Sequence, residues 1–316
     1  MRKILKSINN ASLIKTAYPE IWGVDFTSRP TKQKPITLAR GRVMDGSLGG
    51  TSARALGGTS GLTSGLTLAL TAVQRLPTFA AFETCLVEPG AWVAAFDFPF
   101  GLPRAFAAEI GWLNRASTWA SLTRKLTTIT RAELTAHCRA YCDARPVGAK
   151  LAHRPVDRLA GSSASMKWVN PPVVYMLQEG APRLLAAGVH VPGQQVGDEN
   201  RIALEAYPGY LARSIIGKTP YKNDQRAKQT PALAKARRAM IAKLVDGDYS
   251  LAIPIAAPKA LIDAMQNDAS GDTLDAALCA LQAAWAWQRR EDGFGLPPDM
   301  DALEGWIATV PFLPMA

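Results

Sequence analysis

The sequence predicts an α/β fold: a β-sheet flanked by helices, with a large helical insertion between its fourth and fifth strands. Three observations carry this reading. Residues 20 to 27 (EIWGVDFT) and 91 to 98 (AWVAAFDF) are short apolar runs ending near Gly or Pro, the pattern of strands buried on both faces. From Leu102 to about Asn200 the pattern turns helical. At residues 201 to 208 (RIALEAYP) strand character returns, and it stops at Pro208.

The elements follow in order. After the first strand, residues 36 to 44 (ITLARGRVM) and 65 to 73 (GLTLALTAV) read as two more strands, and residues 78 to 88 (TFAAFETCLVE) as a short helix before the fourth strand. Residues 46 to 65 repeat Leu-Gly-Gly-Thr-Ser at a spacing of eight and read as a flexible hairpin loop. A phosphate cradle is the sharper alternative, but the Lys-Ser/Thr ending of a P-loop is missing. Within the insertion, residues 131 to 145 and 171 to 189 are the clearest helices. A basic helical stretch lies around residues 230 to 245, and a closing helix spans residues 273 to 290.

Composition excludes several classes. With 48% hydrophobic residues over 316 positions, the chain is neither a disordered tail nor a collagen-like repeat and has the material for a core. Four cysteines (Cys85, Cys138, Cys142, Cys279) make no disulfide framework, and Cys138 with Cys142 lacks a second ligand pair to close a zinc site. The basic first segment has no continuous apolar stretch, and no run reaches the ~18 apolar residues needed to span a bilayer. A cytoplasmic protein is expected.

Charge is segregated along the chain. Residues 213 to 243 carry nine Lys/Arg and one acid, Asp224, whereas residues 244 to 316 carry three basic and eleven acidic side chains. Residues 115 to 158 hold a second basic stretch, nine cations against three acids. Such clusters suit a polyanion, because each neutralised phosphate releases counterions. The expected partner is nucleic acid, DNA or RNA, contacted through Lys222, Arg226, Lys228, Lys235, Arg237 and Arg238. The plainer alternative is a set of solvated helix faces.

Three acids sit where acids are uncommon. Asp25, Asp97 and Glu205 lie within or at the end of apolar runs, where an isolated carboxylate costs several kcal/mol unless paired or bound to a cation. Each alone is explained by a capped strand end or a salt bridge. Together they point to one sheet edge, the place where α/β folds bind ligands. Asp272 and Asp275, three residues apart at the start of the last helix, share a face. Their alternative is capping, with Asp272 as N-cap and Asp275 favoured by the helix dipole. Acids from three strands and one helix resemble a hard-cation site holding Mg²⁺ or Mn²⁺.

The phrases Gly-Val-Asp-Phe-Thr (23 to 27), Phe-Asp-Phe-Pro-Phe-Gly-Leu-Pro (96 to 103), Glu-Ala-Tyr-Pro (205 to 208), Tyr221-Lys222, Gly-Asp-Thr-Leu-Asp-Ala-Ala (271 to 277) and Glu-Gly-Trp-Ile (304 to 307) occur in this order. In this the chain resembles the predicted RNase-H-like nuclease family catalogued as domain of unknown function 429, over residues 20 to 310. Arg154 and Asp157, in the phrase HRPVD, also resemble the family and are assigned no role beyond shaping the site.

The resemblance implies a ribonuclease-H-like mixed β-sheet, three antiparallel strands followed by a parallel addition. Residues 20–101 and 201–310 would form a discontinuous core, 102–200 the helical insertion and 1–19 an N-terminal extension. By position, Asp25, Asp97, Glu205, Asp272 and Asp275 would be catalytic, and Asp25, Asp97, Glu205 and Asp275 would hold Mg²⁺ or Mn²⁺. The expected function is a metal-dependent nuclease or related phosphodiester hydrolase, with Asp25 bridging the metal. One alternative is a non-catalytic nucleic-acid-binding protein on the same fold. The other is a small-molecule phosphotransferase, since sugar kinases and actin share this core.

Overall fold

The computed structural model describes residues 18–45 and 65–312. Most of the glycine-rich stretch, residues 46–64, and most of the expected N-terminal extension, residues 1–17, lie outside the described residues. The structure is an α/β fold in which one mixed, seven-stranded sheet is flanked by helices, with strand order β5-β6-β4-β1-β2-β3-β7. The strands are β1 (Glu20–Asp25), β2 (Ile36–Asp45), β3 (Leu66–Leu76), β4 (Trp92–Phe96), β5 (Val189–His190), β6 (Asp198–Glu205) and β7 (Ile255–Ala256). The first three pair antiparallel; β4 joins β1 in parallel, and β6 joins β4 in parallel.

The register decides where the acids end up. Val24 of β1 stands beside Phe96 of β4, and Phe96 stands beside Glu205 of β6. These three parallel strands therefore finish at one edge, carrying Asp25, Asp97 and Glu205 there together.

Both faces of the central strands are covered, which is why β1 and β4 read as continuous apolar runs rather than alternating ones. On one face, Trp22, Val24 and Phe96 pack with Trp119, Leu134 and Leu177 of the helices that follow β4. After α1 (Phe79–Leu86), which precedes β4, these helices are α2 (Arg104–Glu109), α3 (Trp119–Thr128), α4 (Arg131–Asp143), α5 (Pro155–Ala160) and α6 (Val173–Ala186). On the other face lie α7 (Pro208–Ile216), α8 (Pro231–Asp246), α9 (Lys259–Asn267) and α10 (Asp272–Gln288).

Helix α10 is buried along nearly its whole length, as an alanine-rich helix packed on all sides must be. It lies directly on β1 because position 23 is glycine: a Cβ there would overlap the Ala276 carbonyl and the Ala280 amide. This contact brings the first turn of α10 against the end of β1.

Three strands depart from the sequence expectation. The two-residue strands β5 and β7 extend the sheet at its edges, and runs so short carry no periodicity to read. The fifth long strand, β6, starts and ends earlier than residues 201 to 208 and leaves Pro208 as the first residue of α7, where its missing N–H costs nothing. All four cysteines are buried free thiols. No helix among the described residues is long and apolar enough to cross a membrane.

Candidate functional site

A cleft of about 610 Å³ opens at the edge where β1, β4 and β6 end, lined by Asp25, Asp97, Glu205 and Asp275 together with Lys34 and Lys222. Four of the five expected acids line this cleft. The fifth, Asp272, lies beneath it and is tied to its Lys34 wall.

Asp25 closes β1 and is 8% exposed. Burial pushes its carboxyl well above the usual range, Asp275 pushes the same way, and Lys222 offsets part of the effect. Asp97 follows β4, its amide donating to the Val24 carbonyl at 2.9 Å, so the two acids sit on adjacent strand ends. Its carboxyl is pushed up to about 7, first by burial and then by Asp275.

Asp275 is fully buried and points into the cleft wall. It accepts from the Tyr221 hydroxyl at 2.5 Å and from the Lys222 ammonium. Burial opposes the charge on Lys222, but Asp275, Tyr221 and Asp25 together outweigh it and hold the lysine protonated.

Asp272 corrects an expectation. The N-cap of α10 is Gly271, at φ 81°, and Asp272 is already in the first turn and 1% exposed. Its Oδ1 accepts from Lys34 Nζ at 2.7 Å, and Lys34 also donates to Asp224 at 2.8 Å. Asp272 Oδ2 is buried with no hydrogen-bond partner. Gly271 suits the cap because it takes the left-handed conformation and lies against the Lys222 stem, 2.7 Å from where its Cβ would stand.

Glu205 reaches the expected edge, but its oxygens are already engaged. Arg154 donates to Oε1 at 2.6 Å and to Oε2 at 2.8 Å, and the Phe100 amide donates to Oε2 at 2.9 Å. Arg154 also donates to Asp157 Oδ1 at 2.8 Å and to the Glu304 carbonyl at 2.8 Å. The guanidinium is thus a buried rivet between α5, β6 and the segment at Glu304. Sequence reasoning gives Arg154 no role beyond shaping the site; the readable signal is an arginine and an aspartate three apart around a helix-starting proline.

The basic segment divides. Arg226 and Lys228 are exposed on a 3-10 turn, and Lys235 and Arg238 are exposed on α8. Lys222 pairs with the buried Asp275 while its own side chain stays 40% exposed. Arg237 corrects the nucleic-acid assignment: it is 4% exposed and donates to the carbonyls of Tyr221 at 2.7 Å and Gln266 at 2.9 Å. The cause is helix register, because Arg237 shares the inward face of α8 with Ala236, Met240, Ile241 and Leu244. Sequence reasoning misses Lys34 altogether, since only the return of the β1–β2 turn to the cleft brings it to Asp272.

A family model described as "Protein of unknown function (DUF429)" matches residues 58–301. The chain belongs to this family. The DUF429 match spans Asp97, Glu205, Asp272 and Asp275 and begins after Asp25. No curated protein and no solved structure matches the chain.

The donors available in the DUF429 cleft are carboxylate oxygens, the chemistry that suits Mg²⁺ or Mn²⁺. Among the described residues, no three His, Cys, Asp or Glu side chains are grouped so as to hold a metal ion. The counter-charge in the cleft comes from Lys34 and Lys222. The donor set nonetheless fits a cation chemically: Asp25, Asp97 and Asp275 supply carboxylate oxygens to one cleft, and burial and Asp275 hold the first two above their usual range.

Proposed function

We propose that this DUF429 protein is a divalent-cation-dependent phosphodiester hydrolase acting on nucleic acid. The observation that carries the reading is the convergence of Asp25, Asp97 and Asp275 in one cleft, from β1, the end of β4 and the first turn of α10. Their separation along the chain leaves local structure with no reason to bring them together. The strand arrangement supports it too: three antiparallel strands followed by parallel β4 and β6 is the order implied by a ribonuclease-H-like fold.

In this reading Asp25, Asp97 and Asp275 would hold Mg²⁺ or Mn²⁺, which when bound supplies an activated water and positive charge at the leaving oxygen. Lys34, Lys222 and Lys218 line the same cleft and orient the phosphodiester anion. Tyr221 fixes the Asp275 carboxylate by its 2.5 Å hydrogen bond. Glu205 and Arg154 hold the sheet edge and the helical segment together rather than meeting substrate.

One observation favours the second reading, a non-catalytic nucleic-acid-binding protein: the Lys222 ammonium is paired with the Asp275 carboxylate. The phosphotransferase reading has no such support, since nearly all of its glycine-rich segment lies outside the described residues.

The test is cleavage of single-stranded, duplex, hybrid and branched nucleic acids with Mn²⁺, with EDTA as control. Wild type should cleave at least one, and Asp25→Asn should abolish cleavage while leaving the melting transition cooperative. Asp25→Asn cleaving as well as wild type would transfer support to the binding reading.

A further inference from the structure

The acid cleft is walled on two sides. Ser162, Pro172, Val173 and Met176, from the chain between β4 and β6, form one wall. Tyr207, Arg213 and Lys218, from the N-cap of α7, α7 itself and the loop after it, form the other. The first wall is not a free flap, because Arg154 at the start of α5 is 1% exposed and bonded to Glu205 of the sheet. The enclosed volume, about 610 Å³, falls within the ~300–1,000 Å³ of sites that surround a small molecule.

The two walls also differ in chemistry. Pro172, Val173 and Met176 are apolar, whereas in the same cleft lining the Arg213 guanidinium lies 5.2 Å from the centre of the Tyr207 ring, with Lys218 exposed. A flat aromatic, an arginine and apolar side chains lining one cleft are what an unstacked base requires, and the cations beside them suit its phosphate. In a duplex the base is stacked and paired, so it meets neither wall.

We propose that the site takes one unpaired nucleotide at a time, as part of a single strand or as a free nucleotide ester, and excludes intact duplex. This rests on the phosphodiesterase reading and adds the substrate class to it. Extruding a paired nucleotide costs a few kcal/mol, so closed duplex should be cleaved at least about ten-fold more slowly than single strand.

The experiment compares, with Mn²⁺ and wild-type protein, a closed circular duplex, a circular single strand and the p-nitrophenyl ester of thymidine 5′-monophosphate. Cleavage of the circular single strand with the duplex largely spared supports the proposal; turnover of the ester alone assigns the site to free nucleotide esters. Duplex cleaved as fast as single strand overturns it and leaves the phosphodiesterase reading standing. If none is cleaved, the phosphodiesterase reading falls, and binding decides the substrate class. In Ca²⁺, a labelled single strand should then bind at least about ten-fold more tightly than a duplex of the same length, and equal or tighter duplex binding overturns the proposal.

Discussion

Gly23 of β1 lies against Ala276 of α10 backbone to backbone, with no room between them for a methyl group. This contact sets the height of α10 above the sheet, and with it the distance from Asp275 to Asp25. Gly23→Ala should force the helix outward and destabilise the protein by about 1–3 kcal/mol, the usual cost of overpacking. Urea unfolding checks this. An unchanged midpoint would mean that the helix does not depend on the missing side chain.

Arg154→Met should cost more. It leaves the Glu205 and Asp157 carboxylates buried without their cation, a loss of about 3–5 kcal/mol for a broken buried pair. Adding Glu205→Gln and Asp157→Asn should recover part of that loss, because the stranded charges are then gone. If the triple variant is no more stable than Arg154→Met, the arginine acts through packing and not through charge.

The metal-free protein should lose stability as pH rises through the neutral range. Folded Asp97 keeps its proton up to about 7, whereas the ordinary value for the residue is 3.8. Between these values the folded state binds more protons than the unfolded one, so the stability difference falls as pH increases. Asp25, raised by burial and by Asp275, acts in the same direction. Melting temperatures in EDTA should therefore decline from about pH 4 towards about pH 7, and Asp97→Asn should flatten the decline. A melting temperature that rises over this interval in the wild type would contradict the placement of both acids.

The exposed and buried cations of α8 should separate in a salt titration of nucleic-acid binding. Lys235→Gln with Arg238→Gln should reduce the slope by roughly 0.7–0.9 log units for each phosphate that is no longer neutralised. Arg237→Gln should leave the slope alone and lower stability by about 1–3 kcal/mol, since it strands the Tyr221 and Gln266 carbonyls. A slope indifferent to Lys235 and Arg238 would assign that face to solvent alone.

Much of the sheet was legible because its strands are buried on both faces and bounded by turn residues. Residues 20 to 27 and 91 to 98 show this in their unbroken apolar runs, and the same runs made Asp25 and Asp97 conspicuous. Glu205 was conspicuous for the same reason, yet its partner was not. An aspartate or glutamate in an apolar run reports that something offsets its charge, but it does not report whether that is a metal, a lysine or an arginine more than fifty residues upstream.

The sequence by itself determined the longer strands, the main helices, the α/β class and the presence of carboxylates that need a counter-charge, because period, turn residues and burial act over a few neighbouring positions. Only the tertiary structure decided how those charges are shared. The parallel register of β1, β4 and β6 places three acids at one edge, and the glycine contact at position 23 adds Asp275. The inward face of α8 withdraws Arg237 from the surface, and Lys34 reaches Asp272 across 238 positions of chain. Electrostatic partners are chosen by distance in space, and distance in space is a property of the packed sheet and helices that no local pattern encodes.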